Sequence, residues 1–460
     1  MLITSLPTEI LTEILNKLDW KTVLTVRKTC WTFYRISKIH TVWANIYYRH
    51  LKDSPYTLRS EEQIDRYSEA ELEHWVLARK SAWKPDHCRP TRSRSIDYLY
   101  PQALCLIPGG RWLLVGGPTP GSLLAYDLDL PDLSAFTLVE ATGSPKQQEV
   151  HIICINVDER APNLSFNMVL SPSARIVQSD IPLPVQVHIY KVTLVNHGSN
   201  ARLAARQIRS FDAKAVGRIP GIALEGPLFA RASLPWPSSS AFGYIEVFDW
   251  TKSTSSHHHK CTILTKECFI ESIQFLPGHR LASWSRSSLT IYDISNIKVI
   301  ADPVFPMEAL DFTRGLFDVS YGGARNIRLS RPVVDTSAAY FPYASTHDKI
   351  MTLYRLVVPH DAGRTPYYVK FLELPSDAVW DFALGYEKGL IVAEKTITTV
   401  SFPWTASHEP PSDHPIPIPL MTTQDIFYYM VSIVLFDEES GRILNNVART
   451  IAVHDMAACN

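Results

Sequence analysis

Phe275-Leu-Pro-Gly-His-Arg-Leu-Ala-Ser-Trp284 leads into Ser288-Leu-Thr-Ile-Tyr-Asp293, and this stretch has a twin. Leu106-Ile-Pro-Gly-Gly-Arg-Trp-Leu-Leu-Val115 leads into Ser122-Leu-Leu-Ala-Tyr-Asp127. Each copy reads as an apolar residue, Pro-Gly, one free position and Arg. A strand, a turn, a second strand and Tyr-Asp follow. Arg111 and Asp127 are 16 residues apart, Arg280 and Asp293 are 13 apart, and only the turn differs in length. Pro-Gly makes a tight turn ahead of a hairpin. Between the copies and beyond them, short apolar runs alternate with Gly, Pro, Ser and Asp, the signals of an all-β domain from about Ile96 onward.

Aromatic or aromatic–Asp strand ends recur at Tyr190, Phe248-Asp249, Tyr354, Phe402 and His454-Asp455. Asp127 and Asp455 lie 328 residues apart, and six intervals give roughly 55 each, slightly above the ~40–50 of a four-stranded propeller blade. The two copies resemble degenerate WD-repeat blades with Tyr-Asp in place of Trp-Asp. That resemblance implies a β-propeller of about seven irregular blades, with six to eight compatible with the spacing. A pair of β-sandwiches is the alternative, and the aligned copies argue against it. Propeller blades must close into a ring, so a strand at 450–455 is expected to pair with the first blade.

Upstream the composition changes. Of 32 prolines only Pro7 and Pro55 precede Pro85. A proline-poor start suits helices, and a proline-punctuated remainder suits strands and turns. Residues 1–95 carry 16 Lys+Arg against 11 Asp+Glu, and the rest 29 against 35, for a net charge of −1. A polyanion is therefore no obvious partner, and no basic–aromatic run points to nucleic acid. The seven cysteines are odd in number, widely spaced and without CxxC, as expected of reduced thiols in cytoplasm or nucleus. The start Met1-Leu-Ile-Thr-Ser-Leu-Pro7 has no basic leader pattern. The longest apolar stretch, Phe427 to Phe436, is too short to cross a bilayer and reads as a buried strand, so no membrane is expected as a partner.

Residues 7–18 read as an amphipathic helix: Pro7 opens it, and Ile10, Ile14, Leu15 and Leu18 share a face. Asp19 is placed to cap a second helix through about Cys30, with Val23, Leu24 and Val26 apolar. A third, over about 41–51, carries Val42, Trp43, Ile46 and Tyr47. Three such helices make a very small core, which needs a partner or a neighbouring domain to complete it.

Leu6-Pro-Thr-Glu-Ile-Leu-Thr-Glu-Ile-Leu-Asn-Lys-Leu-Asp19, continued by Val23-Leu24, Val26-Arg27, Cys30, Phe33 and Trp43, resembles the F-box family. It covers about a tenth of the chain. Trp20 stands where the family usually has proline, and Thr29 where valine is common. The resemblance implies docking to the Skp adaptor, and through it to cullin, in a cullin–RING (SCF-type) ubiquitin ligase. Residues matching the family's adaptor interface are Leu6, Pro7, Ile10, Ile14, Leu15, Leu18, Val23 and Leu24. From periodicity alone, a small helical cap folded on the chain's own β domain fits equally well.

Between the two parts, Ser68-Glu-Ala-Glu71 is patterned as a capping box, and Leu72, Trp75, Val76, Arg79 and Trp83 follow on one helical face until Lys84-Pro85. Residues 55–67 read as polar and irregular. The expected class is α+β multidomain. A three-helix F-box at 1–52 is followed by a linker with an amphipathic helix at 53–95 and the propeller at 96–460.

No P-loop, GxSxG, HExxH or Rossmann pattern occurs. Gly116-Gly-Pro-Thr-Pro-Gly121 has prolines where a phosphate cradle needs N–H groups and reads as a hairpin loop. His257-His-His-Lys-Cys261 with Cys268 is the one metal-like run, and three adjacent histidines cannot all aim at one ion, so a solvent loop is expected. Asp127, Asp249, Asp293 and Asp455 read as turn or packing residues. Trp236, Trp250, Trp284 and Trp404 read as packing between blades. The expectation is an adaptor subunit with no cofactor, no metal and no catalytic residue, which holds a client protein on the ring. A scaffold without a ligase role is the alternative.

Overall fold

The computed structural model describes residues 3–53, 60–82, 91–97, 103–119, 121–141, 150–173, 183–215, 219–234, 243–265, 270–285, 288–295, 297–301, 316–320, 333–334, 338–347, 350–361, 363–375, 379–385, 388–393, 397–401, 418–420, 434–447 and 450–456. Trp83, Trp236, Cys268, Phe402 and Trp404 lie outside them, as does most of the 427–436 stretch.

The N-terminal part is helical: α1 (Thr8–Asn16), α2 (Trp20–Arg27), α3 (Trp31–Ile36), α4 (His40–Asp53) and α5 (Glu69–Ser81). Asp19 caps α2 as its sequence position implied, accepting from the Lys21 and Thr22 backbone N–H groups at 2.8 and 3.1 Å. The second helix stops at Arg27, short of Cys30, and α3 is an additional helix. At the break the Thr29 hydroxyl donates back to the Val26 carbonyl at 2.8 Å, a local bond that competes with further helix. Six residues are too few for α3 to announce itself by periodicity. On α1 the fully buried face is Leu11 and Leu15, one turn apart, so the stripe is rotated from the one read through Ile10.

α5 has the expected capping box, with the Ser68 hydroxyl and the Glu71 carboxylate bonded reciprocally. Its Leu72, Trp75 and Val76 are buried in the same core as Leu15, Val23 and Trp43, so α5 is a wall of the helical unit. Trp75 meets Tyr47 edge-on at 4.8 Å, and the Arg79 guanidinium lies 3.7 Å from its ring centre. The 60–67 segment is less irregular than its polarity suggested. It contains a 3-10 turn at Ile64–Arg66, and Glu61 and Glu62 are buried.

The remainder is a β-propeller, whose described residues form seven antiparallel sheets. After β1 (Arg92–Asp97), blade one is β2 (Leu104–Leu106), β3 (Trp112–Gly116), β4 (Leu123–Asp127) and β5 (Ala135–Val139). Blade two is β6 (Val150–Val157), β7 (Ser165–Ser173), β8 (Leu183–Val195) and β9 (Arg202–Ala215). Blade three is β10 (Ile222–Glu225), β11 (Leu228–Ser233), β12 (Gly243–Asp249) and β13 (His257–Thr265). Blade four is β14 (Ile270–Leu276), β15 (Arg280–Ser285) and β16 (Ser288–Asp293), but the chain then crosses back. β17 (Lys298–Ala301) pairs with β13 as a fifth strand of blade three, and β18 (Phe317–Ser320) completes blade four. Blade five is β19 (Val333–Val334), β20 (Ala338–His347), β21 (Ile350–Pro359) and β22 (Tyr367–Pro375). Blade six is β23 (Val379–Leu384), β24 (Lys388–Ala393), β25 (Ile397–Ser401) and β26 (Ile418–Leu420). Blade seven is β27 (Val434–Asp437), β28 (Arg442–Val447) and β29 (Thr450–Asp455), with β1 as its outer strand.

The ring thus closes by pairing the two ends of the propeller, Arg92 opposite Asp455 through Asp97 opposite Thr450. The expected partner of β29 was the first blade; the actual partner is β1, the outer strand of the last. Sharing one sheet between the ends pairs the last strand on both sides and leaves β1 as the outer edge of the sheet. Tyr190, Asp249, Tyr354 and Asp455 all lie on the third strand of their blades, as do Asp127 and Asp293. The four aspartates end their strands, so that recurrence is blade register, whereas Tyr190 lies inside β8 and Tyr354 inside β21, not at strand ends as read. His257, His258 and His259 belong to β13, not to a solvent loop. Trp284 is buried, as read. Trp250 packs at the blade-two seam and donates to the Gly226 carbonyl at 3.0 Å.

The repeat arginine has a mechanical role. Arg111 donates to the Gly198 carbonyl of the next blade at 2.8 Å, and Arg280 to the Pro359 and Asp361 carbonyls of the next at 3.2 Å each. A third copy lies at Ser440-Gly-Arg442. Arg442 pairs with Asp455 and donates to the Gly110 carbonyl of blade one at 2.6 Å. Without Pro-Gly this copy was not legible as a repeat. Apolar clusters fill the seams between blades one and two, two and three, three and four, four and five, and seven and one.

Candidate partner-docking surface

The helical unit sits on one rim of the ring, over blades seven, one and two. Glu61 is the pivot. Its carboxylate meets Arg111 at 3.1 Å, and its backbone carbonyl accepts from the Leu164 N–H at 2.6 Å. Arg79 approaches Glu439 at 3.7 Å. Two glycines permit this closeness. A Cβ on Gly441 (φ +67°) would lie 2.7 Å from the Ala82 Cβ, and one on Gly198 (φ +60°) 2.7 Å from Glu71 Oε1. All these ring residues belong to turns between first and second or third and fourth strands. Among the described residues the opposite rim, with the second-to-third turns, is left clear of the helices.

Arg111 is shared between Asp127 at 2.7 Å, Glu61 at 3.1 Å and Asp129 at 3.9 Å, while Arg442 meets Asp129 at 3.1 Å. Arg94 extends the chain of charges by meeting Asp455 at 2.9 Å. Burial pushes the Glu61 carboxyl up to about 7, against the pull of Arg111 and with the help of Asp129 and Asp127. Carboxylates crowd this cluster, and burial raises Glu61, while Asp129, against the same burial, is held below its usual value by Arg442 and Arg111.

The eight residues matched to the adaptor interface divide into three groups. Leu15 and Val23 are fully buried, so they build the helical core and cannot touch a partner. Leu6, Ile14, Leu18 and Leu24 are half-buried along its margin. Pro7 and Ile10 are exposed, Ile10 at 48 %, and Ile3 beside them is 53 % exposed. The structure therefore leaves an apolar strip at the start of α1 that no described part of the ring covers. Sequence reading missed Ile3, which precedes the helical period. It also missed Trp31 and Tyr34 on the unforeseen α3, exposed at 70 % and 40 %. Among the described residues no group of three or more His, Cys, Asp or Glu could hold a metal ion. Nor is any described helix long and apolar enough to cross a membrane.

Two solved structures illustrate the fold likeness. Sqt1 of Chaetomium thermophilum, solved bound to the N-terminus of the ribosomal protein L10, is 14 % identical, with 77 % of this chain and 83 % of that one covered at a TM-score of 0.40. The β-propeller domain of Cps50 (Swd1) from Myceliophteria thermophila is 9 % identical, with 80 % and 98 % covered at a TM-score of 0.44. No curated protein sequence matches the chain. Residues 3–49 match the family model described as F-box-like, so the chain joins an F-box-like segment to a seven-bladed β-propeller.

Proposed function

We propose that this protein is the substrate-recognition subunit of an SCF-type cullin–RING ubiquitin ligase. The helices at 1–52 dock the Skp adaptor and through it cullin. The segment 53–95 holds the helices against the ring, and the propeller at 96–460 binds a client protein. The chemistry belongs to other subunits. The observation that carries the reading is the coincidence of the F-box-like match at 3–49 with an uncovered apolar strip at Ile3, Pro7 and Ile10. An exposed apolar helix face is favourable only when a partner groove takes it up. The rim away from the helices supplies room for a client.

The test is affinity capture of the full chain. Wild type is expected to recover an Skp adaptor and a cullin. Ile10→Asp should lose both while melting as wild type does, because Ile10 lies outside the core. Failure of wild type to recover the adaptor rejects the ligase role. It would favour the scaffold reading, in which the Glu61–Arg111 and Arg79–Glu439 pairs make the helices a fixed cap on the ring.

A further inference from the structure

The second and third helices carry a surface that the adaptor-interface residues do not explain. Trp31 and Tyr34, three positions apart on α3, stack with ring centres 5.1 Å apart and planes 12° from parallel. Arg35, at four positions from Trp31, shares their face, and Lys38 holds its ammonium 5.9 Å from the Tyr34 ring centre. The opposite face of α3, Phe33 and Ile36, is buried. α3 therefore turns a flat aromatic platform outward where a six-residue helix could have ended in polar residues.

The charge around the platform has one sign. From Trp20 to Ile39 the chain has five basic residues and no acidic one. Glu73 on α5 pairs with Arg27 at 2.6 Å and Lys38 at 3.0 Å. Lys21, Lys28 and Arg35 are exposed and make no ion pair with a described residue. Trp31, which is 70 % exposed, is the most exposed large hydrophobic side chain among the described residues. Stacked rings offer a face to a proline or aromatic side chain, and ammonium and guanidinium groups flanking them attract carboxylates. Lys28 and Arg35 alone are too few cations for a nucleic-acid strand, and the chain beyond residue 95 carries 35 acids against 29 bases.

We propose that the Trp31–Tyr34 platform with Lys28 and Arg35 binds an acidic, extended segment of the adaptor subunit, as a second contact beside the Ile3–Pro7–Ile10 strip. This rests on the adaptor-docking reading above. The platform supplies the salt-sensitive part of docking, and the strip supplies the apolar part.

The experiment titrates the full chain with a purified Skp adaptor by calorimetry at low and high salt. Lys28→Glu with Arg35→Glu is expected to weaken binding about tenfold at low salt and much less at about 0.5 M salt, where exposed charges are screened. Trp31→Ala with Tyr34→Ala should weaken it about tenfold at both. All four side chains are exposed, so the variants should melt as wild type does. Wild-type affinity in both double variants overturns the platform while leaving the ligase reading intact. If wild type does not bind the adaptor, the ligase reading falls and the platform's adaptor contact with it. If wild type binds the adaptor, a synthetic Glu/Pro peptide should compete with it at the platform, and equal competition by a Lys/Pro peptide or stronger competition by a short RNA overturns the acidic-segment proposal alone.

Discussion

At Glu61 the structure holds a carboxyl that ordinary solution chemistry would leave charged at neutral pH. Its folded value near 7 lies above the usual 4.5, so the folded chain keeps a proton that the unfolded chain has released. Stability from this group is complete below 4.5 and is lost as pH rises through about 7. His258 has the opposite sign. It lies edge-on to Phe211 at 6.0 Å and Phe248 at 5.6 Å, and burial, aided by Lys260, holds it below the usual 6.5. The unfolded chain takes up that proton first, so stability is lost as pH falls below 6.5. Burial shifts His188 and His454 the same way. Thermal melts from pH 5 to 8 separate the two. Glu61→Gln should flatten the alkaline side, and His258→Leu should soften the acid side. Unchanged profiles would show that neither group titrates differently on folding. None of this was legible in the sequence. Glu61 lies in a polar run that reads as loop, and only the fold brings it beneath Arg111, 50 positions away.

Elements were legible in proportion to how local their cause is. The Ser68–Glu71 box and the Asp19 cap are decided within four residues and came out as read. α3 did not, because its apolar pair Phe33 and Ile36 spans less than two turns. The β17 crossing to blade three depends on what lies beside β13 in space, and nothing in Lys298–Ala301 announces it. For the proposed site, the Leu-Pro start located the helix, but the rotation of α1 decides that Leu15 faces inward and Ile10 outward. The cap yields a simple prediction. Ser68→Ala should cost about 1 kcal/mol by denaturant unfolding, since the Glu71 N–H loses its acceptor and the box its partner. β29 yields a larger one. It pairs with β28 on one side and β1 on the other, and Asp455 holds both Arg442 and Arg94. Removing residues 446–460 should abolish cooperative unfolding of the ring. A truncated chain with a sharp melt would mean that closure does not depend on this seam.

At the scale of the whole molecule, the ring seam and the helical unit are fastened at the same place. Arg94, Asp455, Arg442, Asp129, Arg111 and Glu61 run in series from the outer strand of blade seven, through blade one, to the segment leading into α5. Such a chain gives little net stability against an apolar replacement, but removing one member strands its neighbours without counter-charges. The arrangement therefore couples two bodies more than it strengthens either. Helices and ring should melt in one calorimetric transition. Arg111→Leu removes the contacts to Glu61, Asp127 and the Gly198 carbonyl together. It should split the melt in two, with the helical unit leaving first, because α1–α5 keep their own core around Leu15, Trp43 and Trp75. The breakage of a buried pair costs about 3–5 kcal/mol, enough to resolve the transitions. A single melt shifted downward would instead mean that the helices depend on the ring for their fold. The orientation of the proposed docking strip would then be fixed by the apolar and glycine contacts at Ala82 and Gly441, not by the charges.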